Sequence, residues 1–309
     1  MLSNINIFLD SGAFSAWSRK KEINIEEYIE FIKKNKSSLF CYANLDVIRN
    51  PEKSYENQKY MEKKGLNPIP VFHTHEDYKW LKRYLLEGYE YIALGGLAGG
   101  RNSVTFLIKH LDTCFNIINN INPTTKIHGF GIMNFLLLKR YPWYSVDSTT
   151  YRIEASYGVV FIPPIKYNEY HWLKKPIRVC FSTLAAINKS YTHYRIHYDN
   201  PKYLSEKEKE KILKYIEYIR PGTKLGNSQY IFSVPLNHSL KENERWYKKN
   251  KKLKTGTIEK IYEIGIKTSA NIREEINKLY FLKVGEMLTD YHKRKKIKIS
   301  NSNYFFKKQ

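Results

Sequence analysis

The chain has 309 residues, 42% hydrophobic and 15% aromatic, enough apolar material for a sizeable core and too much for a disordered or fibrous polypeptide. Its 52 lysines and arginines against 30 acidic residues give a formal charge of +22, which suits a polyanion such as nucleic acid or, more plainly, a lysine-rich solvated surface. No run approaches the ~18 apolar residues of a membrane span, no signal peptide is expected, and Cys41, Cys114 and Cys180 are too scattered for a disulfide framework or a cysteine-rich zinc site, so a cytoplasmic, intracellular protein without a membrane partner is expected.

Short apolar runs alternate with helix-like stretches from the start. Ile5 to Asp10 reads as a strand, followed by Ser11-Gly12-Ala13-Phe14 and a helix around Ile25 to Lys34. Leu39 to Val47 is the next apolar run, and Pro51 opens a helix to Lys64, since proline is tolerated in a first turn. Pro70 to Phe72 is a third strand with His73 and His75 at its exit, and Glu76 to Glu87 a helix. Tyr91 to Leu94 is a fourth strand that runs into Gly95-Gly96-Leu97-Ala98-Gly99-Gly100. Apolar residues at every third and fourth position mark a helix over Ser103 to Asn119. Lys126 to Gly131, Trp143 to Asp147, Val159 to Pro163 and Ile177 to Phe181 bring the strands to about eight, with a short helix over Phe135 to Lys139.

Strands alternating with helices predict parallel βα units, and the count fits a (β/α)8 TIM-like barrel over residues 1–190, with an open doubly wound sheet as the alternative. Beyond this, Leu204 to Ile219, Thr257 to Ile264 and Ile272 to Met287 read as helices of a basic, mainly helical appendage over residues 191–309. Residues 241–309 hold 19 lysines and arginines against 8 acidic residues, which suits either a nucleic-acid-binding element or a helical cap with a lysine-rich end.

A barrel places its chemistry at the carboxyl ends of its strands, and those ends carry Asp10, Asp46, His73, Gly95-Gly96, His128 and Asp147. Asp10 could cap the turn that follows it or act chemically; Asp147, in Tyr144-Ser145-Val146-Asp147-Ser148-Thr149-Thr150, repeats the arrangement five units later. Two carboxylates converging on one mouth suit a reaction at a sugar carbon, one attacking the anomeric centre and the other handling a proton. Asp46 is either another turn cap or an acceptor for the paired N–H donors of a guanine-like base. The glycine run permits close approach of a flat ligand but has neither the ending of a phosphate-binding loop nor dinucleotide spacing, so no cofactor is expected. Phe14 could stack on a base or pack under the first loop. His73 and His75 would point to opposite sides of a continuing strand, and hydrogen bonding by His73 or His128 needs fewer assumptions than a metal, so no metal is expected.

Asp10-Ser11-Gly12-Ala13-Phe14, Leu45-Asp46, Ile92-Ala93-Leu94-Gly95-Gly96-Leu97 and Ser145-Val146-Asp147-Ser148 together resemble the tRNA-guanine transglycosylase superfamily. The stretch from His128-Gly129-Phe130-Gly131 to Tyr141-Pro142-Trp143-Tyr144-Ser145-Val146-Asp147-Ser148-Thr149-Thr150 looks most like its phage-type DNA-guanine transglycosylases, which insert 7-deazaguanine derivatives related to queuosine. The resemblance covers roughly residues 5–185 and implies a pentosyltransferase that exchanges guanine for a free 7-deazaguanine base without cutting the polynucleotide. On that resemblance Asp147 is the nucleophile at C1′, Asp10 the general acid and base, and Asp46 the base-recognising residue. It also places Ser11, His73, Gly95, Gly96, Leu97 and His128 in the substrate site, with Phe14 against the purine. Ala13 stands where the tRNA enzymes usually have glycine, a histidine stands near a usual glutamine, and their cysteine-rich zinc segment is missing. DNA is therefore the expected partner; a tRNA-directed transglycosylase and an N-glycoside or nucleoside hydrolase using the same carboxylates remain alternatives.

Overall fold

The computed structural model describes residues 7–98, 102–182, 196–199, 202 and 204–295. The chain divides into two compact units, Met1–Ser148 with Tyr291–Gln309, and Thr149–Asp290. The domain boundary expected between residues 190 and 191 lies outside the described residues.

In the first unit six parallel strands follow one another in chain order. β1 (Ile7–Leu9) pairs with β2 (Leu39–Tyr42), and a parallel bridge from Ala43 to Ile69 leads to β3 (Val71–His73). β3, β4 (Tyr91–Gly95), β5 (Lys126–Gly129) and β6 (Ser145–Val146) then form a four-stranded parallel sheet. The connections carry α1 (Ala13–Ser18), α2 (Ile25–Asn35), α3 (Pro51–Lys63), α4 (Lys79–Leu86), α5 (Val104–Ile121) and α6 (Phe135–Arg140). Several of these helices begin on a side chain that accepts otherwise unpaired first-turn amides: Asn24 takes those of Glu26 and Glu27, Asn50 that of Lys53 ahead of Pro51, Ser103 that of Phe106, and Asn134 those of Leu136 and Leu137. Such caps fix where each helix departs from the strand exit before it.

Alternation along the strands sorts residues onto two faces. Tyr42 and Leu45 pack outward against Tyr28, Ile29 and Ile32 of α2 and Met61 of α3. Ala43, Ile69, Val71 and Ala93 form a second cluster with Phe8, Cys41, Tyr91 and Phe130 around it. The small alanines leave space for rings, and Phe8 fills it, with its centroid 4.5 Å from His128, 5.7 Å from Phe130 and 6.5 Å from Tyr91. Strand β1 thereby reaches β4 and β5 across the inner face, and the parallel run is curled.

The expected eight-stranded parallel barrel is not what forms. The described strands make five separate sheets of mixed direction. After α7 (Thr150–Ser156), β7 (Val159–Ile162) is followed by a small hairpin, β8 (Ile165–Lys166) with β9 (Glu169–Tyr170), and no helix before β10 (Ile177–Cys180). A parallel return needs a long crossover, usually a helix; without it β10 runs antiparallel to β7, from Ile177 opposite Ile162 to Cys180 opposite Val159. β10 then pairs in parallel with β11 (Ile196–His197).

The carboxyl-terminal region also departs from expectation. Leu204 to Ile219 does become α8 (Glu206–Ile219), opened by a reciprocal cap between Ser205 and Glu208. Thr257 to Ile264, however, is not helical. It belongs to β14 (Thr255–Glu263), the central strand between β12 (Asn227–Pro235) and β13 (Glu244–Asn250). Thr255, Thr257, Ile258, Ile261 and Tyr262 are β-branched or aromatic, and two antiparallel partners satisfy the strand's backbone, which outweighs its weak helical spacing. The region is accordingly mixed rather than mainly helical. Ile272 to Met287 lies within α9 (Ala270–Lys295), and no described helix is long and apolar enough to cross a membrane.

A buried asparagine joins α9 to the β7 region. The Asn277 side chain accepts the Phe161 N–H at 2.9 Å and donates to the Tyr151 and Val159 carbonyls at 3.0 and 3.1 Å. Truncation would take this partner from two buried backbone groups, the Phe161 N–H and the Val159 carbonyl, and from the half-buried Tyr151 carbonyl. Asn277→Ala is expected to destabilise the protein by about 2–4 kcal/mol in urea unfolding, against less than about 0.5 kcal/mol for alanine at exposed Leu282 on the same helix.

Candidate active site

The carboxyl ends of β1 to β6 bring ionisable side chains together from distant parts of the sequence. Asp46 follows β2 and is buried; the Ser11 hydroxyl, just beyond β1, donates to its Oδ1 at 2.7 Å. His73, the last residue of β3, places Nε2 3.0 Å from Asp46 Oδ2. Its Nδ1 lies 3.2 Å from Glu76 Oε1, and its backbone N–H donates to Glu76 Oε2 at 2.9 Å. The imidazole is thus clamped between two carboxylates. Burial acts to lower its pKa, but the hydrogen bonds and negative charges of Asp46 and Glu76 outweigh burial and raise it from 6.5 to about 10. His73 is a cation at neutral pH, paired with Asp46 on one side and Glu76 on the other.

The glycines beside this clamp make it possible. A Cβ on Gly95 would stand 2.8 Å from His73 Nε2 and closer still to Cδ2. Gly96 has φ +73°, and a Cβ there would collide with Thr74 Oγ1. Leu97 is buried behind the pair, while Gly99 and Gly100 of the same run lie outside the described residues.

Asp147, just after β6, differs from Asp46 in exposure: 46% of its side chain reaches solvent. The Gly131 N–H donates to its Oδ1 at 2.7 Å, from a left-handed turn with φ +72° packed against Ala98. His128, on β5, is buried beneath it with Nε2 3.7 Å from the same Oδ1. His128 Nδ1 is 2.6 Å from the Ser145 hydroxyl, which is 2.5 Å from the Tyr91 phenol. Among the described residues no protein donor engages Asp147 Oδ2.

Asp10 completes the group from the end of β1. The residue is exposed, yet the packed strand ends around its carboxyl strip away water and raise its pKa, and the negative charges of Asp46 and then Asp147 raise it further. The amides of Gly12 and Ser11 act in the opposite direction without cancelling the rise. Two carboxyls of one mouth are therefore pushed to different tasks: Asp10 toward holding a proton, and Asp147 toward standing open to solvent on a hydrogen-bonded oxygen. Environments of this kind distinguish an acid from a nucleophile.

Phe14 lies on α1 at the rim, 55% exposed, with its ring 6.0 Å from Trp17. His75 is not part of the group. It has φ +71°, stacks on Phe106 and meets Asn102 Oδ1 at 3.2 Å. Among the described residues no set of three or more His, Cys, Asp or Glu side chains could hold a metal ion. Four residues that contribute were not singled out by the sequence: Glu76, Gly131, Ser145 and Tyr91. Position alone marks Glu76, just after His73, and Ser145, two residues before Asp147, and neither position discloses a role.

Compared with known proteins, the chain matches no family model, no curated protein and no solved structure.

His73 has a measurable thermodynamic consequence. Its pKa is higher folded than unfolded, so the stability from the clamp is fully present below about pH 6.5 and is lost as the pH rises toward about 10. Urea unfolding across that range is expected to show falling stability in the native protein and a flatter profile in His73→Gln. At neutral pH His73→Ala is expected to cost about 3–5 kcal/mol, because Asp46 and Glu76 are left buried without their cation. Gly95→Ala should flatten the same profile by displacing the ring from Asp46.

Proposed function

We propose that this protein is a DNA-guanine transglycosylase, a pentosyltransferase that exchanges guanine in DNA for a free 7-deazaguanine base through a covalent aspartyl-nucleoside intermediate. The observation that carries the reading is the pairing of Asp10, raised toward its protonated form by burial and by Asp46 and Asp147, with an exposed Asp147 whose Oδ1 is anchored by Gly131. One carboxyl with a raised affinity for a proton beside one open to solvent suits double displacement at a sugar carbon.

In the first half-reaction an Asp147 oxygen forms a bond to C1′ as the C1′–N9 bond breaks. The electron pair leaves with guanine, which takes a proton from the Asp10 carboxyl. In the second, the Asp10 carboxylate removes the N9 proton of the incoming base, N9 bonds to C1′, and the electron pair of the C1′–O bond returns to Asp147. Two inversions give overall retention. Asp46, paired with His73, accepts the N1–H and exocyclic amine of the base; Ser11 and His73 occupy one site on each of its oxygens and leave further lone pairs. A +22 charge favours a polynucleotide, and reaching C1′ in a duplex requires the target nucleotide to be opened or flipped. DNA is preferred to tRNA because the cysteine-rich segment of the tRNA enzymes is missing from the sequence.

Incubation with guanine-containing duplex DNA and with tRNA, each with labelled 7-deazaguanine bases, is expected to label DNA. Label only in tRNA, or guanine release without exchange, would contradict the assignment. Asp147→Ala is expected to abolish the covalent polynucleotide adduct on denaturing gels. Asp10→Asn should slow exchange by about 10²–10⁴-fold. Because Asp10 donates its proton to departing guanine, that step should slow as pH rises through its raised pKa, and the Asn variant should lack this limb.

A further inference from the structure

Beneath Asp147 runs a line of three polar side chains with no other assigned task. The Tyr91 phenol lies 2.5 Å from Ser145 Oγ, which lies 2.6 Å from His128 Nδ1; His128 Nε2 is buried, has no hydrogen-bond partner and lies 3.7 Å from Asp147 Oδ1. His128 itself is 2% exposed and held in place by rings, with Phe8 and Phe130 each at 4.5 Å. An unpartnered ring nitrogen at that depth carries a desolvation penalty unless a polar group is close by, and the nearby one is the carboxylate of the proposed nucleophile.

The protons along the line can be placed in order. Burial raises Tyr91 to about 12, so the phenol keeps its proton, and Ser145 is its only hydrogen-bonding partner among the described residues. A phenol is a better donor than an aliphatic hydroxyl, so Tyr91 donates to Ser145 Oγ. Ser145 then has one proton to give and one remaining acceptor in reach, His128 Nδ1. A neutral imidazole that accepts at Nδ1 carries its proton on Nε2.

We propose that Tyr91, Ser145 and His128 form a positioning relay that fixes His128 as its Nε2–H tautomer and directs that N–H at Asp147 Oδ1, leaving Oδ2 as the attacking oxygen. Gly131 N–H and His128 Nε2–H then converge on one oxygen of the carboxylate. In the covalent intermediate that oxygen is the ester carbonyl. When the C1′–Oδ2 bond breaks and its electron pair returns to the carboxylate, the negative charge spreads onto Oδ1, where two fixed donors receive it. The consequence for the reaction rests on the transglycosylase reading, whereas the tautomer does not.

The direct test is nitrogen NMR of the histidine side chains at mildly alkaline pH. The His128 signals are assigned by their loss in His128→Gln. The relay predicts an unprotonated Nδ1 and a protonated Nε2 in the native protein, a mixed or reversed tautomer in Ser145→Ala, and recovery in Ser145→Thr. Tyr91→Phe, which keeps the ring and removes only the hydroxyl, should give an intermediate shift and serves if Ser145→Ala fails to fold. In base exchange Ser145→Ala should lower kcat about tenfold to a hundredfold with KM for the free base unchanged. A native His128 protonated at Nδ1, or a tautomer indifferent to Ser145 and Tyr91, would overturn the relay. The predicted tautomer in a protein that exchanges no base would fault the transglycosylase reading and leave the relay standing.

Discussion

Three carboxylates gather at the exits of the parallel strands β1, β2 and β6, where the charges of Asp46 and Asp147 press on Asp10. Asp46 is the most buried of them and is neutralised by a full cation, His73, whose second nitrogen is held by Glu76. Asp147 is relieved by exposure and by the Gly131 amide. Asp10 has no cationic partner among the described residues, and the packed strand ends around its carboxyl together with the charges of Asp46 and Asp147 raise its affinity for a proton. The distinct chemistry of each carboxyl follows from how its charge is accommodated.

The scaffold requirements trace to the same place. His73 can lie against β4 only because Gly95 has no side chain, and the Gly131 amide reaches Asp147 only because a left-handed turn is open to glycine. Phe8 fills the inner face between Ala43 and Ala93 and supports the His128 ring, so packing that curls the sheet also fixes the group beneath the exposed carboxylate. Parallel strands collect their exits on one side, where ligands of α/β sheets usually bind.

Much of the first unit was legible in the sequence, because short apolar runs ending in Asp10, Asp46, His73 and Asp147 alternate with well-capped helices. The closure of a full barrel was not. It depended on direction, and direction was decided by the segment between β7 and β10, where a short hairpin replaces the crossover helix and reverses the strand. The strand β14 was misread for a related reason: Ile258 and Ile261 are three apart, a helical spacing, and only the flanking strands β12 and β13 turn the segment into a sheet. At the site, the residues read from strand exits could be named in advance, while Tyr91 and Ser145 could not, since their roles depend on contacts across neighbouring strands and on the depth of His128. The neutralising role of Glu76 was equally hidden, because an acidic residue at a helix start has an ordinary explanation.

Asp10 shares a mouth with Asp46 and Asp147 and is held toward its protonated form by burial and by their charges. Carbon NMR titration of the Asp10 carboxyl tests it most directly, in the native protein and in Asp46→Asn and Asp147→Asn. The native pKa is expected to lie above the ordinary aspartate value and to fall in both variants, further in Asp46→Asn, because the Asp46 charge acts more strongly on Asp10 than that of Asp147. An Asp10 that titrates as an ordinary aspartate and ignores both substitutions would contradict it.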